Sequence, residues 1–515
     1  AIEKRLDRVT EIIIKTYECV MSKKHVDVVI VGAGLSGIGA ACHLEQHSPT
    51  KTYAIIESRE AMGGTWDLFR YPGIRSDSDM HTLGYSFKPW LHKKAIADGP
   101  AILQYINETA KEYEVDQHIR YNQRVTKIAW DTVTALWTLT IAETGKRAKK
   151  MTCKFVYSCT GYYRYDKGYT PDFPGSEQFK GPIIHPQQWP EDLDYSGKNV
   201  VVIGSGATAI TLVPAMAKTA GHVTMLQRSP TYVVSRPEKD PFALTLAKYL
   251  PAKIAYLITR WKNVSQQALL FQMSRRRPER VKAMLRKLTR MSLGENYDID
   301  THFTPKYNPW DQRLCLVPNG DLFRSLREGT STVVTDNIKT FTKTGLKLAS
   351  GTLLKADIVV SATGLELLPM GGMQIVVDGK TIKLPDTLGY KGMMLSDVPN
   401  FVLAAGYTNA SWTLKCDLTS EYVCRMLNHL DNNNFDYCVA RNNDPNLERA
   451  AFLDLASGYV DRSIDQFPKQ GKESPWRLQQ NYLLDIISLR FGSMKTEAME
   501  YGTATAVQEG TSEAA

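Results

Sequence analysis

The chain has 515 residues, of which 43% are hydrophobic and 23% charged, and its formal net charge is +9 at pH 7. This composition is typical of a soluble globular protein that can bury a large core. No apolar run approaches the roughly 18 residues that a membrane span needs, and no secretory signal is recognisable, which excludes an integral membrane protein. The length predicts about three domains, or two domains with insertions.

The eight cysteines include no C-x-x-C pair. Cys42, Cys153 and Cys159 fall in apolar or strand-like contexts. The pattern favours reduced, buried thiols over a disulfide framework or a zinc site, so no metal is predicted. We therefore expect a cytoplasmic protein.

Residues 1–20 precede Met21, which stands a few residues before the first strand-like segment. We predict that Met21 is the natural start and that 1–20 are an N-terminal extension. The first predicted unit is βαβ, with a strand at 26–31, a helix at 38–46 and a strand at 53–57.

The loop after the first strand reads Gly32-x-Gly34-x-x-Gly37. The first glycine permits a tight bend, the second lets backbone approach a pyrophosphate, and the third lets the helix pack on the strand. The helix N-terminus would supply N–H groups and a positive dipole to phosphates. Glu57, at the end of the second strand, can accept hydrogen bonds from both ribose hydroxyls but would repel a 2′-phosphate. The pattern predicts FAD or NAD here, not NADP.

A second glycine-containing loop follows, with the sequence Gly63-Gly64-Thr65-Trp66 and then Tyr71-Pro72-Gly73-x-x-x-Asp77. Glycines in this loop could approach a flavin closely, and the aromatic residue could pack beside it. Composition alone indicates only an ordered loop, in which Asp77 could be a plain turn carboxylate.

Further along stands the spacing F-x-G-x-x-x-H-x-x-x-W-P, formed by Phe179, Gly181, His185, Trp189 and Pro190. It separates the first βαβ unit from a second, with a strand at 198–203, a helix at 210–218 and a strand at 223–227.

The second unit carries the turn Gly204-x-Gly206-x-x-Ala209, and its second strand ends in Gln-Arg instead of an acid. Arg228 can pair with a 2′-phosphate as a fork, which favours NADPH. The alternative is a surface arginine without a ligand.

Residues 236–300 break the α/β pattern, and their apolar spacing predicts two amphipathic helices inserted into the second domain. Between 260 and 290 there are ten Lys or Arg and one acid. Three interpretations stay open: a solvated helix face, a peripheral contact with an anionic membrane, or a site for acidic partners. Nucleic acid is excluded because no aromatic platform accompanies the charge.

Strand-like segments at 155–159 and 358–362 both end in Thr-Gly. Each is expected to close a Rossmann sheet before the chain crosses to the other domain, so both domains are predicted to be discontinuous. The tail 493–515 is rich in Ala, Thr, Glu and Gly and is predicted to be disordered.

Together, the loop at 63–77 and the spacing at 179–190 resemble the two fingerprints of type I Baeyer–Villiger monooxygenases. The resemblance runs from about residue 26 to 490. Segments 70–80, 307–322 and 391–413 look especially like the ethionamide-activating flavin monooxygenase subfamily. The related flavin-containing monooxygenases usually carry an aromatic residue followed by Lys where this chain has Trp189-Pro190.

The resemblance implies roles for single residues. Gly64, Thr65, Trp66 and Asp77 would lie at an FAD site. His185 would couple movement of the nucleotide domain to catalysis, although a buried, satisfied histidine remains the alternative.

Arg313 resembles the family's active-site arginine, whose guanidinium would stabilise a peroxyflavin anion and the adduct's oxyanion. Asp77 would orient it. The register of Arg313 comes from the local pattern, with Arg324 and Arg327 as weaker competitors. Where many family members carry Lys, this chain has Gln312. The NADPH preference would therefore depend on Arg228 and Thr208.

The implied fold is α/β, with two Rossmann-like dinucleotide-binding domains, for FAD and NADP, and a helical insertion in the NADP domain. The predicted boundaries are 21–165 and 371–492 for the FAD-binding domain, 166–235 and 301–370 for the NADP-binding domain, and 236–300 for the insertion.

The implied activity is an NADPH- and O2-dependent oxygenation through a C4a-(hydro)peroxyflavin. The expected substrates are small hydrophobic ketones, giving esters or lactones, and sulfides or thioamides. A heteroatom-only flavin monooxygenase and a non-catalytic nucleotide-binding redox sensor are the alternatives. A disulfide reductase is excluded because it needs a redox cysteine pair.

Overall fold

The computed structural model describes residues 25–312, 314–453 and 457–505. The predicted extension at 1–20 lies outside these residues, as does Met21. The cysteines within the described residues, Cys42, Cys153 and Cys159 among them, are buried free thiols. None of the helices described has the length and apolar character that crossing a bilayer requires.

The strands, in chain order, are β1 His25–Val31, β2 Tyr53–Ile56, β3 Ile119–Arg120, β4 Arg124–Asp131, β5 Leu136–Ala142, β6 Lys149–Ser158, β7 Ile183–Ile184, β8 Asn199–Ile203, β9 His222–Gln227, β10 Val233–Arg236, β11 Cys315–Pro318, β12 Ser331–Thr335, β13 Ile338–Thr342, β14 Gly345–Leu348, β15 Leu353–Lys355, β16 Ile358–Ser361, β17 Gln374–Val377, β18 Lys380–Thr381, β19 Gly389–Tyr390, β20 Met394–Leu395, β21 Phe401–Leu403, β22 Tyr437–Ala440, β23 Arg449–Ala451, β24 Lys469–Gly471 and β25 Met499–Gly502.

The α-helices are α1 Leu35–His47, α2 Thr65–Leu68, α3 Met80–Leu83, α4 Gly99–Glu112, α5 Ala207–Met216, α6 Pro241–Tyr249, α7 Ala252–Arg276, α8 Pro278–Leu293, α9 Ile299–His302, α10 Asp321–Arg327, α11 Trp412–Asn432, α12 Gly458–Asp461 and α13 Tyr482–Asp485.

A nine-stranded sheet, here called the large sheet, has the order β18-β17-β4-β5-β6-β1-β2-β3, with β21 also paired to β6. Strand β1 runs parallel to both β2 and β6. Its residues Val28, Val29 and Ile30 are fully buried, as expected for a parallel strand covered on both faces. The carboxyl ends of β1, β2, β6 and β21 therefore meet at one edge.

A five-stranded parallel sheet, here called the small sheet, has the order β12-β9-β8-β16-β7. Helix α5 packs on it through buried Ile210, Leu212 and Val213. The helix contains Pro214. The carboxyl ends of β8, β9 and β16 lie at one edge, where parallel α/β sheets bind their ligands.

The chain crosses between the two sheet domains twice, at 159–182 and at 362–373, and the two crossings run side by side. The Arg164 amide donates to the Glu366 carbonyl at 2.9 Å, and the Leu368 amide donates to the Tyr162 carbonyl at 2.8 Å. Tyr163 and Leu367 form an antiparallel bridge. The domains are thus joined by a narrow, two-stranded linker.

The insertion has three substantial helices, α6, α7 and α8, instead of the two predicted. The additional helix begins at Pro241 and is capped by Asp240, whose carboxylate accepts from the Phe242 and Ala243 amides. Asp followed by Pro is a helix-start signal that sequence inspection could have used.

Arg260, the first cation of 260–290, does not belong to a solvated helix face. Arg260 is only 4% exposed, and it donates to the carbonyls of His81 at 2.9 Å and Gly84 at 2.8 Å. Its other nitrogen lies 3.4 Å from Asp417. Burying an arginine requires such partners, and here they tie α7 to the large-sheet domain.

Several other cations of this segment have acidic partners. These ion pairs are Lys262–Asp240, Arg275–Asp311, Lys282–Glu279, Arg286–Asp300 and Arg290–Glu295. The local excess of positive charge is therefore smaller in the folded protein than in the isolated segment.

The predicted disorder of 493–515 is wrong for its described part. Strand β25 pairs antiparallel with β22, with Tyr437 opposite Gly502 and Ala440 opposite Met499. The Tyr501 ring stacks on Phe435 at 5.1 Å. Apolar burial and a ladder with a distant strand hold this segment, while 506–515 lie outside the described residues.

Candidate active site

The two glycine-rich turns have the same geometry. Gly32 and Gly204 have positive φ angles of 106° and 138°, which favour glycine. A Cβ at Gly32 would lie 2.6 Å from the Cys159 carbonyl oxygen, and one at Gly204 would lie 2.3 Å from that of Ala362. A Cβ at Gly37 would lie 1.9 Å from the Gly32 oxygen. Packing within the protein therefore requires these glycines.

The middle glycines are different. A Cβ at Gly206 would meet no protein atom within 4 Å, and one at Gly34 would reach only van der Waals contact with Gly64. Each is the N-cap of its helix and has no side chain to cap it. The open space and free N–H groups fit a pyrophosphate that approaches the backbone.

Glu57 lies beside the first turn and is 6% exposed. One of its carboxylate oxygens accepts from the Ala33 amide at 2.8 Å, and the other accepts from the Arg59 amide at 2.8 Å. These bonds fix the carboxylate at the end of β2. A carboxylate oxygen has room for a further donor, so ribose hydroxyls can still bind to it.

Arg228 follows β9 and is exposed. It lines the same cavity as Gly206 and Thr208. Its guanidinium therefore stands at the ligand edge of the small sheet, where it can reach a 2′-phosphate. Ala209, the last residue of the turn motif, lies in the first turn of α5 and is fully buried.

One cavity of about 1490 Å³ runs between the domains. Its volume exceeds the roughly 300–1,000 Å³ of a typical small-molecule pocket. It brings together most residues that the sequence assigned to nucleotide binding or catalysis, namely Gly32, Gly34, Glu57, Gly64, Thr65, Trp66, Asp77, Gly204, Gly206, Thr208 and Arg228.

Asp77 is exposed on the cavity wall. Arg313, its predicted partner, lies outside the described residues. The neighbouring Trp310, Gln312 and Leu314 line the cavity, so described residues on both sides of position 313 border the cavity.

The loop that contains Asp77 contacts helix α5 of the small-sheet domain at two points. Tyr71 is buried in the same hydrophobic cluster as α5 and lies beside Thr208, and burial raises the pKa of Tyr71. A Cβ at Gly73 would lie 2.7 Å from Ala215 in α5. Sequence inspection did not identify these contacts, because they join residues of two separate domains.

The fingerprint residues at 179–189 do not line the cavity. Phe179 packs edge-on against Phe341 at 6.0 Å, and a Cβ at Gly181 would lie 2.1 Å from the Asp357 oxygen. Trp189 packs edge-on against Tyr195 at 6.4 Å. These residues shape the small-sheet domain where the linker enters it.

Both ring nitrogens of His185 have backbone partners. Nδ1 accepts from the Gln187 amide at 3.2 Å, so Nε2 carries the proton and donates to the Gly364 carbonyl at 2.9 Å. Burial lowers the pKa of His185, while the bond to Gly364 acts in the opposite direction. The histidine is therefore neutral, satisfied and placed at the linker.

A further segment of the site, 404–412, lies within the stretch 391–413 that resembles the subfamily, but no cofactor or catalytic role was predicted for it. It follows β21 at the same edge as the first turn, and residues 407–412 line the cavity. The Trp412 indole donates to the Ser36 hydroxyl at 2.9 Å, and the Tyr407 hydroxyl donates to Asp485 at 2.6 Å. The pairing of β21 with β6 brings this segment to the site, and residue spacing within the segment does not show that position.

The flavin-binding monooxygenase-like family matches residues 81–370, and an NAD(P)-binding Rossmann-like domain matches 30–93. The FAD-containing monooxygenase EthA of Mycobacterium tuberculosis is 55% identical over 93% of this chain and 98% of its own length. EthA of Mycolicibacterium smegmatis is 50% identical over 93% of this chain and 97% of its own length.

Solved structures share the fold at low identity. An oxidised steroid monooxygenase bound to NADP has a TM-score of 0.73 at 21% identity, over 93% of this chain and 99% of that one. An open structure of cyclohexanone monooxygenase has a TM-score of 0.72 at 19% identity, over 93% of this chain and all of that one. With two dinucleotide-type turns facing one cavity, the chain belongs to the flavin-binding monooxygenase-like family and is a flavin-dependent monooxygenase.

Proposed function

We propose that this chain binds FAD at the first turn and NADPH at the second, and that it uses O2 to oxygenate small hydrophobic ketones and organic sulfur compounds. The observation that carries this proposal is the single cavity lined by both turns, by Asp77 and by the segment around Arg313. The bound flavin would take a hydride from NADPH and activate O2 for transfer of one oxygen atom.

The residues around the cofactors have separate tasks. The N-termini of α1 and α5 bind the two pyrophosphates, and Glu57 accepts hydrogen bonds from the FAD ribose. Arg228 pairs with the 2′-phosphate of NADPH. At the equivalent strand end of the first unit stands Glu57, whose carboxylate would repel that phosphate. These assignments place each nucleotide at its own sheet edge.

Part of the cavity wall is apolar. Leu270 of α7, Val234 and Leu314 pack against one small hydrophobic cluster, and all three line the cavity. An apolar wall excludes water and favours a substrate with a hydrophobic body. Arg313 would supply a permanently charged donor to oxygen-centred negative charge, held in place by Asp77.

The relatives support the substrate class. One structure of cyclohexanone monooxygenase, 19% identical, holds ε-caprolactone, which differs from cyclohexanone by one inserted oxygen atom. The EthA relatives are described as FAD-containing monooxygenases. Ketone oxygenation with additional sulfur oxidation is consistent with both.

The test uses purified, FAD-loaded enzyme with a linear ketone and a dialkyl sulfide of similar length. NADPH oxidation, O2 uptake, peroxide and products are measured together. Ester and sulfoxide formed in proportion to NADPH support the proposal. Sulfoxide without ester indicates a heteroatom-only monooxygenase, peroxide alone indicates an oxidase, and no O2 uptake indicates a redox sensor; each of these outcomes contradicts it.

We also propose a peripheral contact with anionic membranes through α8. Arg280, Met284, Lys287, Leu288 and Met291 recur at helical spacing and are all exposed. Met291 is 72% exposed. Cations beside exposed apolar side chains on one helix face are typical of helices that lie in a membrane surface.

A further inference from the structure

The loop from Tyr71 to Asp79 contacts the small-sheet domain near its start and the helical insertion at its end. Tyr71 packs with the buried residues of α5 in the small-sheet domain, and Gly73 packs on Ala215 of the same helix. Asp79 faces the insertion instead and accepts from the amide groups of Asn263 at 2.8 Å and Gln267 at 3.2 Å. The loop therefore touches every body that encloses the cavity.

Arg75 makes the charged contact in this series. Its guanidinium donates through both terminal nitrogens to Asp321, with Nη2 at 3.4 Å from Oδ1. The Arg75 side chain is 11% exposed and that of Asp321 27% exposed. The pair joins the large-sheet domain to the first residue of α10, which packs on α5 of the small-sheet domain.

The position of Arg75 relates this pair to the cavity. Arg75 lines the cavity, and it stands two residues before Asp77. Asp321 does not line the cavity. Its carboxylate accepts hydrogen bonds from Arg75 and from the Leu322 amide, the latter at 2.8 Å. A two-pronged arginine–carboxylate pair fixes orientation as well as distance.

We propose that Arg75 and Asp321 form an interdomain latch that holds the small-sheet domain against loop 71–79 and so positions Asp77 over the cavity. The latch rests on the proposed function, because it matters for oxygenation only when NADP is bound at the second turn. Arg75 and Asp321 act as positioning residues: with the latch closed, Tyr71 packs against α5 beside the NADP turn and the cavity is shielded from water. With it open, activated oxygen is lost as peroxide.

The experiment compares wild type, Asp321→Asn and Asp321→Glu as FAD-loaded enzymes. Calorimetry gives the Kd of NADP+, and X-ray scattering in solution gives the radius of gyration with NADP+ bound. In Asp321→Asn we expect the Kd to rise about three- to fivefold, the radius of gyration to increase, and the peroxide fraction to rise. Asp321→Glu keeps the charge and is expected to rescue all three.

The dependence of the NADP+ Kd on salt separates a charged latch from a purely structural role of Asp321. The ratio of the two Kd values, Asp321→Asn over wild type, is expected to fall toward one in about 1 M NaCl, where the Debye length is roughly 3 Å. Asp431→Asn is the matched control, because its partner Lys51, at 2.6 Å, lies in the same domain. The control is expected to behave as wild type.

An unchanged Kd and radius in Asp321→Asn would overturn the latch, as would a failure of Asp321→Glu to rescue. If Asp321→Asn does not fold, Arg75→Gln tests the same pair from the other domain and is expected to give the same changes. If wild type oxygenates neither substrate, the proposed function fails while the NADP+ affinities and radii still decide the latch.

Discussion

His185 donates its Nε2–H to the carbonyl of Gly364 at 2.9 Å, and this bond joins the small-sheet domain to the second of the two chain crossings. The same ring fills the space beside Gly168, in the first crossing. One neutral side chain thus packs against both strands of the linker. This placement supports a hinge role for His185 and separates it from the cavity.

A side chain at Gly168 is expected to disturb this joint. A Cβ there would lie 1.9 Å from Cε1 of His185, so Gly168→Ala must displace the ring or the linker. Overpacking of this kind costs about 1–3 kcal/mol. Denaturant unfolding should show that loss, and the double variant Gly168→Ala, His185→Ala should recover part of it. Full stability in Gly168→Ala alone would contradict the tight packing.

Stability is expected to depend on pH through His185. Burial lowers its folded pKa below the ordinary 6.5, so the unfolded chain binds a proton more readily than the folded chain does. The free energy of unfolding is therefore unaffected above 6.5 and falls as pH decreases from there to the folded pKa. His81 is also buried, and burial lowers its pKa in the same direction, so a variant comparison is needed.

His185→Gln provides that comparison, since an amide can accept from Gln187 and donate to Gly364 without titrating. Unfolding midpoints at about pH 7.5 and about pH 5.5 are expected to differ less in the variant than in wild type. An equal difference in both proteins would show that His185 does not contribute.

Arg228→Gln is expected to reduce discrimination between NADPH and NADH. Loss of a charge-assisted pair with the 2′-phosphate costs about 1.5–3 kcal/mol, or roughly 10- to 150-fold in affinity. The KM for NADPH should rise by that order while the KM for NADH changes little. Arg276→Gln, an exposed arginine away from the cavity, is the control. A parallel rise of both KM values in Arg228→Gln would contradict the assignment.

Membrane contact is expected to depend on salt and on the exposed face of α8. Sedimentation with anionic liposomes should retain the protein at low salt and release it at high salt, because exposed charges are screened. A variant with Arg280→Glu and Lys287→Glu should lose the binding. Absence of binding by wild type at low salt would rule out the contact.

Much of this site could be predicted from sequence because its residues stand in local motifs. Each glycine turn, its strand and its helix lie within one short stretch, and Glu57 and Arg228 follow at fixed positions. The partners that only the fold brings together could not be predicted this way. From the sequence, Arg260 is predicted to be a surface cation, because its partner Asp417 lies 157 positions away in the chain.

The same reasoning explains the wrong prediction for the tail. The composition of residues 493–505 gives little indication of regular structure. Strand β25 nevertheless pairs with β22, which lies more than fifty positions earlier in the chain. Arg75 and Asp321 likewise lie 246 positions apart. Local sequence carries no information about such pairs, since the ladder and charge partners lie in distant parts of the chain.

Oxygenation with ¹⁸O₂ tests the central claim most directly. FAD-loaded enzyme receives NADPH, labelled O2 and a linear ketone, and the products are analysed by mass spectrometry. The account predicts an ester that carries one ¹⁸O atom, with the other label in water and little peroxide. Labelled peroxide in amounts equal to the NADPH consumed, with no labelled ester, would contradict it.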